Sequence, residues 1–498
     1  MNVNPITRLD YPDPDVIRVE DTYYMVSTTM HFMPGCEILQ SFDLVHWEHA
    51  TYVYETLDHT DAQQLKSGQN IYGQGMWAAS LRYHEGRFYI CFVANDTRKT
   101  YLYTSEKIDG PWKKQLIEGF YHDGSLLFDE DGRNYIVYGN DEIWITELNE
   151  DLTAPKKDGL HRLLVSDHKN PELGYEGSHI QKINGYYYIF LIHSLRDRWM
   201  RTEACFYSDS LEGEFTGGDV LCDDRGYCGQ GVAQGGIVDT PDGKWYAMLF
   251  QDSGAVGRIP ILVPVTWKDH FPVFGQNGHV PEEIEVHSTR PGYIYQPLVG
   301  SDDFCNGLLP RWQFNHDPDP RYYHLDALQG TYTITTREVC TELTQAVNTL
   351  TQRMSYPSCA AEVTVDASAL KEGDVAGLCA FQSCYAAVGI TKHHGKYEVL
   401  MLDKKEDGIL DLTERTVVES HQMDFRLEAD FCNMKDEARC YYRVNKGDWL
   451  PIGTVHKLYF KLDHFTGCRF GLFCYAAEET GGSACFRDFK YYDVDEIS

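Results

Sequence analysis

The chain has 498 residues, which is too long for one ordinary hydrophobic core, so two domains are expected. Its net charge of −31 repels nucleic-acid phosphates and anionic membrane surfaces, which excludes both as partners and favours a neutral substrate. The sequence also contains no apolar run of about 18 residues, the length that a membrane-spanning helix requires.

The cysteines and the first residues bear on the compartment of the protein. Fifteen cysteines are scattered along the chain, and no CxxC pair or Cys/His cluster has the spacing of a zinc site. The segment MNVNPITRLDYPD lacks the basic and apolar regions of a signal peptide. These features predict reduced thiols in a cytoplasmic protein, or a secreted protein if a leader has been removed.

A repeated hairpin dominates the first 295 residues. Five segments share a turn residue followed by an aromatic pair or near-pair: VEDTYYM, YHEGRFYI, DEDGRNYIV, INGYYYIF and PDGKWYAML. The second aromatics are Tyr24, Tyr89, Tyr135, Tyr188 and Tyr246. Their spacing of about 46 to 65 residues matches one four-stranded blade each. The sequence therefore predicts an all-β fold that begins with a five-bladed β-propeller over residues 1–295.

The repeat also locates a candidate site, because the first strand of each propeller blade lines the central axis. A step of 11 or 12 residues back from each second aromatic gives Asp13, Trp77, Asp123, Glu176 and Gln234. Taken singly, each is better explained as a turn, loop or core residue. Three acids at one equivalent position, however, would meet at one end of the channel. Two nearby acids, Asp10 and Asp15, fall outside this register and are predicted to be loop residues.

Three neighbouring carboxylates suit the hydrolysis of a glycoside. Like charges push pKa values apart, so that one acid holds its proton while another stays ionised. Glycoside hydrolysis needs that pair, one acid for the leaving oxygen and one for water or the anomeric carbon. Trp77 and Phe32 would form a stacking wall for the sugar. Arg258 is a candidate for orienting the carboxylates or the hydroxyls, although taken alone it is better explained as an ordinary arginine at a strand edge. A non-catalytic propeller lectin is the alternative, although it has no need of the acids.

Five blocks of this domain resemble glycoside hydrolase family 43, and they occur in the family's order. They are NPITRLDYPDPDVIRV, GMWAASLRYHEGRFYI, HDGSLLFDEDGRNYIVYG, YEGSHIQKINGYYYIF and GRIPILVPVTW. The resemblance implies a five-bladed propeller with an inverting mechanism and no required cofactor. It also implies roles for four residues: Asp13 as general base, Glu176 as general acid, Asp123 as modulator of the acid's pKa, and Arg258 as the active-site arginine.

The chain departs from the family at the sugar wall and on the axis. Relatives often carry a Phe-Trp pair where this chain reads STTMHFMPG, so the resemblance only loosely places His31 and Phe32 in the substrate wall. Many relatives carry a histidine in blade five, sometimes bound to calcium, where this chain has Gln230 and Gln234. A structural calcium ion therefore stays open, without assigned ligands. His179 is either a polar contact or ligand at the site or an ordinary hydrogen-bonded histidine.

A second domain is predicted over residues 301–498, after a linker rich in turn signals at 276–300. Alternating segments such as AAEVTVDA, VAGLCAFQ and FRLEADF predict a β-sandwich. The stretches DDFCNGLLPRWQF and GGSACFRDFKYYDV resemble the concanavalin-like C-terminal domain of many family members. This resemblance implies that the sandwich packs on the propeller and lends a loop to the rim of the pocket.

The expected activity is removal of a terminal sugar, because a capped channel suits an exo-acting enzyme. By resemblance, the substrate is a hemicellulose oligosaccharide of the arabinoxylan type, from which the enzyme releases terminal α-L-arabinofuranose. A β-D-xylosidase and a bifunctional xylosidase/arabinofuranosidase are the alternatives. Association into a homo-oligomer is left open by the sequence.

Overall fold

The computed structural model describes residues 3–493, which form a β-propeller followed by a β-sandwich. Within that range, helix is limited to four 3₁₀ turns, at Lys66–Gly68, Gly254–Val256, Leu343–Gln345 and Cys432–Met434. None of the helices in these described residues is long and apolar enough to cross a membrane. The predicted all-β class, with five blades and a sandwich, is confirmed.

Each blade is an antiparallel sheet built from strands that follow one another in the chain. The first blade and its connection hold β1 (Asp15–Val19), β2 (Thr22–Val26), β3 (Phe32–Met33), β4 (Gly35–Ser41) and β5 (Glu48–Tyr54). The second holds β6 (Met76–His84), β7 (Arg87–Ala94), β8 (Lys99–Ser105) and β9 (Lys113–Ile117). The third holds β10 (Ser125–Phe128), β11 (Asn134–Asn140), β12 (Glu142–Leu148) and β13 (His161–Ser166).

The last two blades follow the same pattern. The fourth holds β14 (Glu176–Ile183), β15 (Tyr186–Ser194), β16 (Arg201–Ser208) and β17 (Thr216–Leu221). The fifth holds β18 (Val232–Ala233), β19 (Ile237–Asp239), β20 (Trp245–Asp252), β21 (Arg258–Lys268) and β22 (Phe271–Phe274). Its short β18 and β19 pair in turn with β20, so that together they take the place of one inner strand.

The repeated hairpin of the sequence joins the first two strands of a blade. All five second aromatics lie in the second strand, in β2, β7, β11, β15 and β20. In blade four the turn is Asn184–Gly185, and both residues have positive φ, at 50° and 85°. This geometry matches the right-handed twist of the flanking strands. The aromatic after the turn is then buried between neighbouring blades, as Tyr188 is.

The N-terminal segment closes the ring by running along β21. Ile6 donates its backbone N–H to the carbonyl of Pro260 at 2.9 Å, and Tyr11 donates to the carbonyl of Arg258 at 3.0 Å. The side-chain amide of Asn4 also bonds both backbone groups of Leu262, at 2.8 Å each. Since Asp13 follows directly, this closure brings it beside the start of β21.

The sandwich consists of an eight-stranded and a seven-stranded sheet. Its first strands are β23 (Gln313–Asn315), β24 (Tyr323–Asp326), β25 (Thr331–Thr335), β26 (Leu350–Arg353), β27 (Ser358–Asp366), β28 (Val375–Phe381) and β29 (Ala386–His393). The others are β30 (Lys396–Lys404), β31 (Leu410–Val418), β32 (Gln422–Asp430), β33 (Glu437–Val444), β34 (Leu450–Lys457), β35 (Arg469–Tyr475) and β36 (Ser483–Asp493). Alternating apolar side chains from both sheets fill the core between them.

One strand of the sandwich comes from the propeller. The two-residue β3, in the connection between β2 and β4, pairs antiparallel with β23, with Phe32 opposite Asn315 and Met33 opposite Phe314. It thus forms the edge of the eight-stranded sheet, whose order is β3-β23-β26-β35-β28-β29-β30-β31. The two domains are therefore joined by backbone hydrogen bonds as well as by side-chain packing.

Candidate active site

Three of the five positions that the repeat singled out share an unusual backbone conformation. Asp13, Asp123 and Gln234 have left-handed φ values of 53°, 48° and 62°, respectively. In blade four, Glu176 begins β14, and Gly177 after it has a φ of 65°. Residues other than glycine hold this conformation at a cost, and such strain clusters at functional sites. Three positions of the register, Asp13, Asp123 and Gln234, therefore also share a left-handed backbone conformation.

Asp13 is fixed by hydrogen bonds to both of its carboxylate oxygens. Arg258 donates from Nη1 to Oδ1 at 2.9 Å, and Thr28 donates from Oγ1 to Oδ2 at 2.6 Å. Asp13 is 6% exposed and Arg258 is 3% exposed. Charge-assisted bonds of this kind are among the strongest in proteins, so the carboxylate is held in one orientation.

Glu176 and Asp123 both lie close to one nitrogen of His122. The Nε2 atom of His122 is 3.5 Å from Oδ2 of Asp123 and 3.6 Å from Oε2 of Glu176. The backbone N–H of Gly177 donates to Oδ2 of Asp123 at 3.0 Å. The side-chain amide of Asn140, at the end of β11, donates to Oε2 of Glu176 at 2.7 Å. One carboxylate from each of blades three and four thus meets around a single imidazole.

The charges in this cluster shift two pKa values in the same direction. Burial raises the pKa of Asp123 to about 6, and the nearby Glu176 and Asp13 add to this effect against the opposing charge of His122. Burial alone would lower the pKa of His122, but Asp123, Glu176 and Asp13 outweigh it and raise that pKa to about 9. Near neutral pH, His122 is therefore a cation among three acids.

Aromatic rings stand beside the carboxylates. The ring of Trp77 lies 5.8 Å from that of His122 and 5.5 Å from that of Phe465. The guanidinium carbon of Arg258 lies 4.3 Å from the centre of the Phe465 ring. Phe465 belongs to the sandwich, on the loop between β34 and β35, so the second domain does lend a loop to the site.

Gln234 is buried against the strand that carries the proposed acid. A Cβ atom added at Gly177 would lie 2.7 Å from Cγ of Gln234, so the two residues are in tight contact. The backbone N–H of Gln234 donates to Oε2 of Glu203 at 2.7 Å. Burial raises the pKa of Glu203 well above its ordinary value, against the opposing effect of this hydrogen bond. Gln234 and Glu203 thus form the packing behind Glu176.

Asp10 lies in a loop, as predicted, whereas Asp15 begins β1, contrary to the prediction, and both acids are buried. They are 5% and 1% exposed. Asp15 forms an ion pair with Nη1 of Arg82 at 2.8 Å and accepts the backbone N–H of Leu81 at 2.7 Å. It also contacts Nδ1 of His179 at 3.0 Å, so His179 is a hydrogen-bonded structural residue in this arrangement. The register could not identify Asp15, whose role is to tie blades one, two and four together.

His31 and Phe32 do not line the site in the structure. Both are 0% exposed, because β3, which begins at Phe32, carries this segment into the seam between the propeller and the sandwich. The His31 ring lies 4.9 Å from the rings of His316 and His464, and the guanidinium of Arg469 lies 3.5 Å from the centre of the Phe32 ring. The aromatic wall therefore consists of Trp77 and Phe465 in their stead.

Among residues 3–493, the same cluster is a group of three side chains that could supply ligands to a metal ion. One donor atom each from His122, Asp123 and Glu176 lies within 4.8 Å of the others. Calcium prefers six to eight oxygen ligands, whereas this set offers two carboxylates and a nitrogen. Its imidazole is also a cation near neutral pH, with both ring nitrogens protonated. These residues do not fit a calcium site, and no step of the chemistry is assigned to one.

Four residues of the site were not identified from the sequence: Thr28, His122, Asn140 and Phe465. His122 directly precedes Asp123 in the block HDGSLLF, so proximity to a proposed acid was a usable signal. Thr28 and Asn140 act through side-chain hydrogen bonds, which no local sequence pattern predicts. Phe465 reaches the site from the other domain, which required the tertiary structure.

Known protein families match both parts of the chain. The model described as "Glycosyl hydrolases family 43" matches residues 3–272, which include all three acids and Arg258. The chain belongs to glycosyl hydrolase family 43. It is accordingly a glycosidase, and enzymes of this family are in general independent of cofactors. A second model, the "Beta xylosidase C-terminal Concanavalin A-like domain", matches residues 301–492.

This family 43 chain is similar to several characterised proteins. A beta-xylosidase from Formosa agariphila is 27% identical over 99% of this chain and 89% of its own length. A solved structure, "Bifunctional GH43-CE" from Bacteroides eggerthii, is 43% identical with a TM-score of 0.92. The match covers 98% of this chain but only 63% of that protein. An engineered GH43 enzyme with endo-xylanase and exo-arabinofuranosidase activity is 27% identical over 99% of both chains, with a TM-score of 0.87.

Proposed function

We propose that this glycosidase is an exo-acting, inverting enzyme that releases terminal α-L-arabinofuranose from arabinoxylan-type oligosaccharides. The observation that carries the proposal is the different environment of two acids. Asp13 is bound by a cation and a hydroxyl, whereas Glu176 accepts one amide N–H and contacts His122. Glycoside hydrolysis needs two carboxyl groups with opposite tasks, one as acid and one as base. Proteins assign these tasks by giving the two groups different surroundings.

In the proposed reaction, Glu176 gives its proton to the glycosidic oxygen as the bond from that oxygen to the anomeric carbon breaks. A water molecule attacks the anomeric carbon from the opposite face of the sugar, and its proton goes to Asp13. Arg258 and Thr28 hold Asp13 in the orientation that positions this water. Asp123 and His122 set the charge around Glu176, because both contact the same small volume.

The position of Phe465 supports exo action. A loop from the sandwich carries its ring to Arg258 on one side and to Trp77 on the other. A pocket closed by two rings accommodates a terminal sugar, whereas cleavage inside a polysaccharide needs a cleft that is open at both ends. The two rings also provide apolar faces for the C–H groups of a pentose.

A second candidate is a β-D-xylosidase, or an enzyme with both activities. The names of the relatives favour it: the Formosa agariphila protein is a beta-xylosidase, and the C-terminal family model carries the same description. A Bacteroides ovatus relative, 24% identical over 82% of this chain, is by contrast a non-reducing end alpha-L-arabinofuranosidase. The two acids can serve either pentose, since both reactions break the bond at an anomeric carbon.

The test compares the wild type and Glu176→Gln on 4-nitrophenyl α-L-arabinofuranoside and 4-nitrophenyl β-D-xyloside. We expect higher kcat/KM on the arabinofuranoside, and a loss of at least about 100-fold in the variant on an oligosaccharide with an unactivated leaving group. Glu172→Gln, on the exposed loop before β14, is the control and should keep wild-type rates. A wild-type preference for the xyloside would favour the second candidate. Unchanged turnover of the oligosaccharide by Glu176→Gln would contradict the role of Glu176 as general acid. A wild type that binds sugar without hydrolysing it would indicate a lectin.

A further inference from the structure

Asp10 joins the two domains at the edge of the active site. Its Oδ1 atom accepts the backbone N–H of Arg258 at 2.7 Å, and its Oδ2 atom accepts the backbone N–H of Gly467 at 2.8 Å. These donors lie 248 and 457 residues away along the chain, the first in the propeller and the second in the sandwich. One buried carboxylate is therefore shared between two elements that meet only in the folded protein.

The backbone on both sides is shaped to fit this carboxylate. A Cβ atom at Gly257, whose φ is 108°, would lie 2.3 Å from Oδ1 of Asp10. A Cβ atom at Gly467 would lie 2.7 Å from Cβ of Asp10 and 2.1 Å from the carbonyl oxygen of Val256. Contacts this short leave no space for a side chain. The two glycines therefore allow the propeller and sandwich backbones to close around Asp10.

The two N–H groups that Asp10 binds belong to the two sides of one active-site contact. Arg258 supplies the guanidinium that holds Asp13, and Gly467 lies two residues after Phe465, whose ring packs on that guanidinium. The backbone of Arg258 has other support, since it pairs with Asp252 in the ladder of β20 and β21. The sandwich loop at Phe465 lies outside any strand, and beside Gly467 the backbone N–H of Cys468 also donates to the carbonyl of Ala255 in the propeller at 2.8 Å.

We propose that Asp10 is a positioning residue that docks the sandwich loop onto Arg258, so that Phe465 completes the wall of the sugar pocket. This inference rests on the proposed function in one respect, namely that Phe465 contacts the substrate. It gives the sandwich a specific part in substrate binding through one carboxylate. It also explains why an aspartate stands three residues before the proposed base.

The variant Asp10→Asn tests the proposal, because it keeps the shape but presents an amide N–H to one of the two backbone N–H groups. We expect the loop at Gly467 to give way, with KM raised about tenfold and kcat changed by less than about threefold. In a Phe465→Ala background, Asp10→Asn should raise KM no further, because both changes remove the same contact.

Asp302→Asn is the matched control. Asp302 is another buried carboxylate that accepts two N–H groups, from Phe304 at 2.7 Å and from the Trp312 indole at 2.8 Å, within the sandwich. This change should lower the Tm without altering KM. If Asp10→Asn does not fold, Gly467→Ala carries the test, because it displaces the same loop while leaving Asp10 intact.

The outcomes separate this proposal from the proposed function. A wild type that hydrolyses neither nitrophenyl pentoside would contradict the proposed function and leave no KM to compare. An active wild type whose KM is unchanged in Asp10→Asn, or in Gly467→Ala, would overturn the role of Asp10. An additive effect of Asp10→Asn and Phe465→Ala on KM would overturn it as well, since Asp10 would then act through another group.

Discussion

Arg258 donates a hydrogen bond of 2.9 Å from Nη1 to Oδ1 of Asp13, in a position where the aromatic ring of Phe465 covers its guanidinium. Among the described residues, its Nε and Nη2 atoms have no hydrogen-bond partner although both are buried. Buried donors of this kind are costly unless they are used. We infer that the arginine has two functions, to hold the base and to offer donors to the hydroxyls of the sugar.

Replacement of this arginine should therefore be severe even when the charge is kept. For Arg258→Lys we expect kcat/KM to fall about 100-fold, because lysine lacks the planar fork that reaches Asp13 and the sugar together. Steady-state rates on the preferred nitrophenyl pentoside measure this. Arg18→Lys is the control, since Arg18 forms its ion pair with Asp239, away from the carboxylates. Activity of Arg258→Lys within about threefold of wild type would contradict this dual role.

The pH profile should report His122 on its alkaline side. Burial opposes the charge on His122, but the surrounding acids raise its pKa to about 9, so the cation is lost as pH rises through that value. We expect kcat/KM to fall over the same range, because Asp123 and Glu176 then lose their shared positive neighbour. In His122→Gln we expect a lower kcat/KM that no longer falls over this alkaline range. His168→Gln, at an exposed position, should keep the alkaline fall of the wild type. An alkaline limb that survives in His122→Gln must belong to another group.

The seam between the domains should weaken in acid because of His464. Burial, with a contribution from Arg469, lowers the pKa of His464 to about 3. The unfolded chain takes up this proton near its ordinary pKa of about 6.5, so stability falls as the pH drops below that value and continues to fall towards about 3. For His464→Phe we expect the free energy of unfolding to depend less steeply on pH between pH 6 and pH 4. The difference from wild type should be about one proton, or ~1.4 kcal/mol per pH unit.

Denaturant unfolding across this pH range measures the slope. His324→Phe provides the control, because His324 is exposed on β24 and should leave the slope unchanged. An identical slope in wild type and His464→Phe would mean that His464 is protonated in the folded protein. His31 and His316 lie beside the same seam, and burial also lowers their pKa values, so a residual acid sensitivity is expected in the variant.

The sequence predicted the propeller and the place of the carboxylates because both depend on local patterns. A turn followed by an aromatic pair is a short-range signal, and the equivalence of blades converts a fixed step along the chain into a fixed position on the axis. That is why Asp13, Asp123, Glu176 and Gln234 could be placed at one register, and why three of them share a left-handed backbone. The domain limits at 295 and 301 remain predictions.

The parts that the sequence did not predict are made by contacts between distant segments. The hydrogen bond from Gly467 to Asp10 spans 457 residues, and no sequence pattern near either residue predicts it. The same holds for Phe465, whose ring reaches Arg258 from the other domain. His31 and Phe32 were predicted at the sugar because the segment STTMHFMPG stands where relatives carry the aromatic pair of the substrate wall. Instead, the two-residue strand Phe32–Met33 pairs with the sandwich, and both Phe32 and the preceding His31 are buried.

The central claim is that Glu176 and Asp13 act from opposite faces of the sugar, one as acid and the other as base for a water molecule. Proton NMR of the sugar released in the first minutes of wild-type hydrolysis tests this most directly. We expect the anomeric configuration opposite to that of the substrate, followed by slow equilibration of the free sugar. A first-formed product with the configuration of the substrate would contradict the role of Asp13 as a general base.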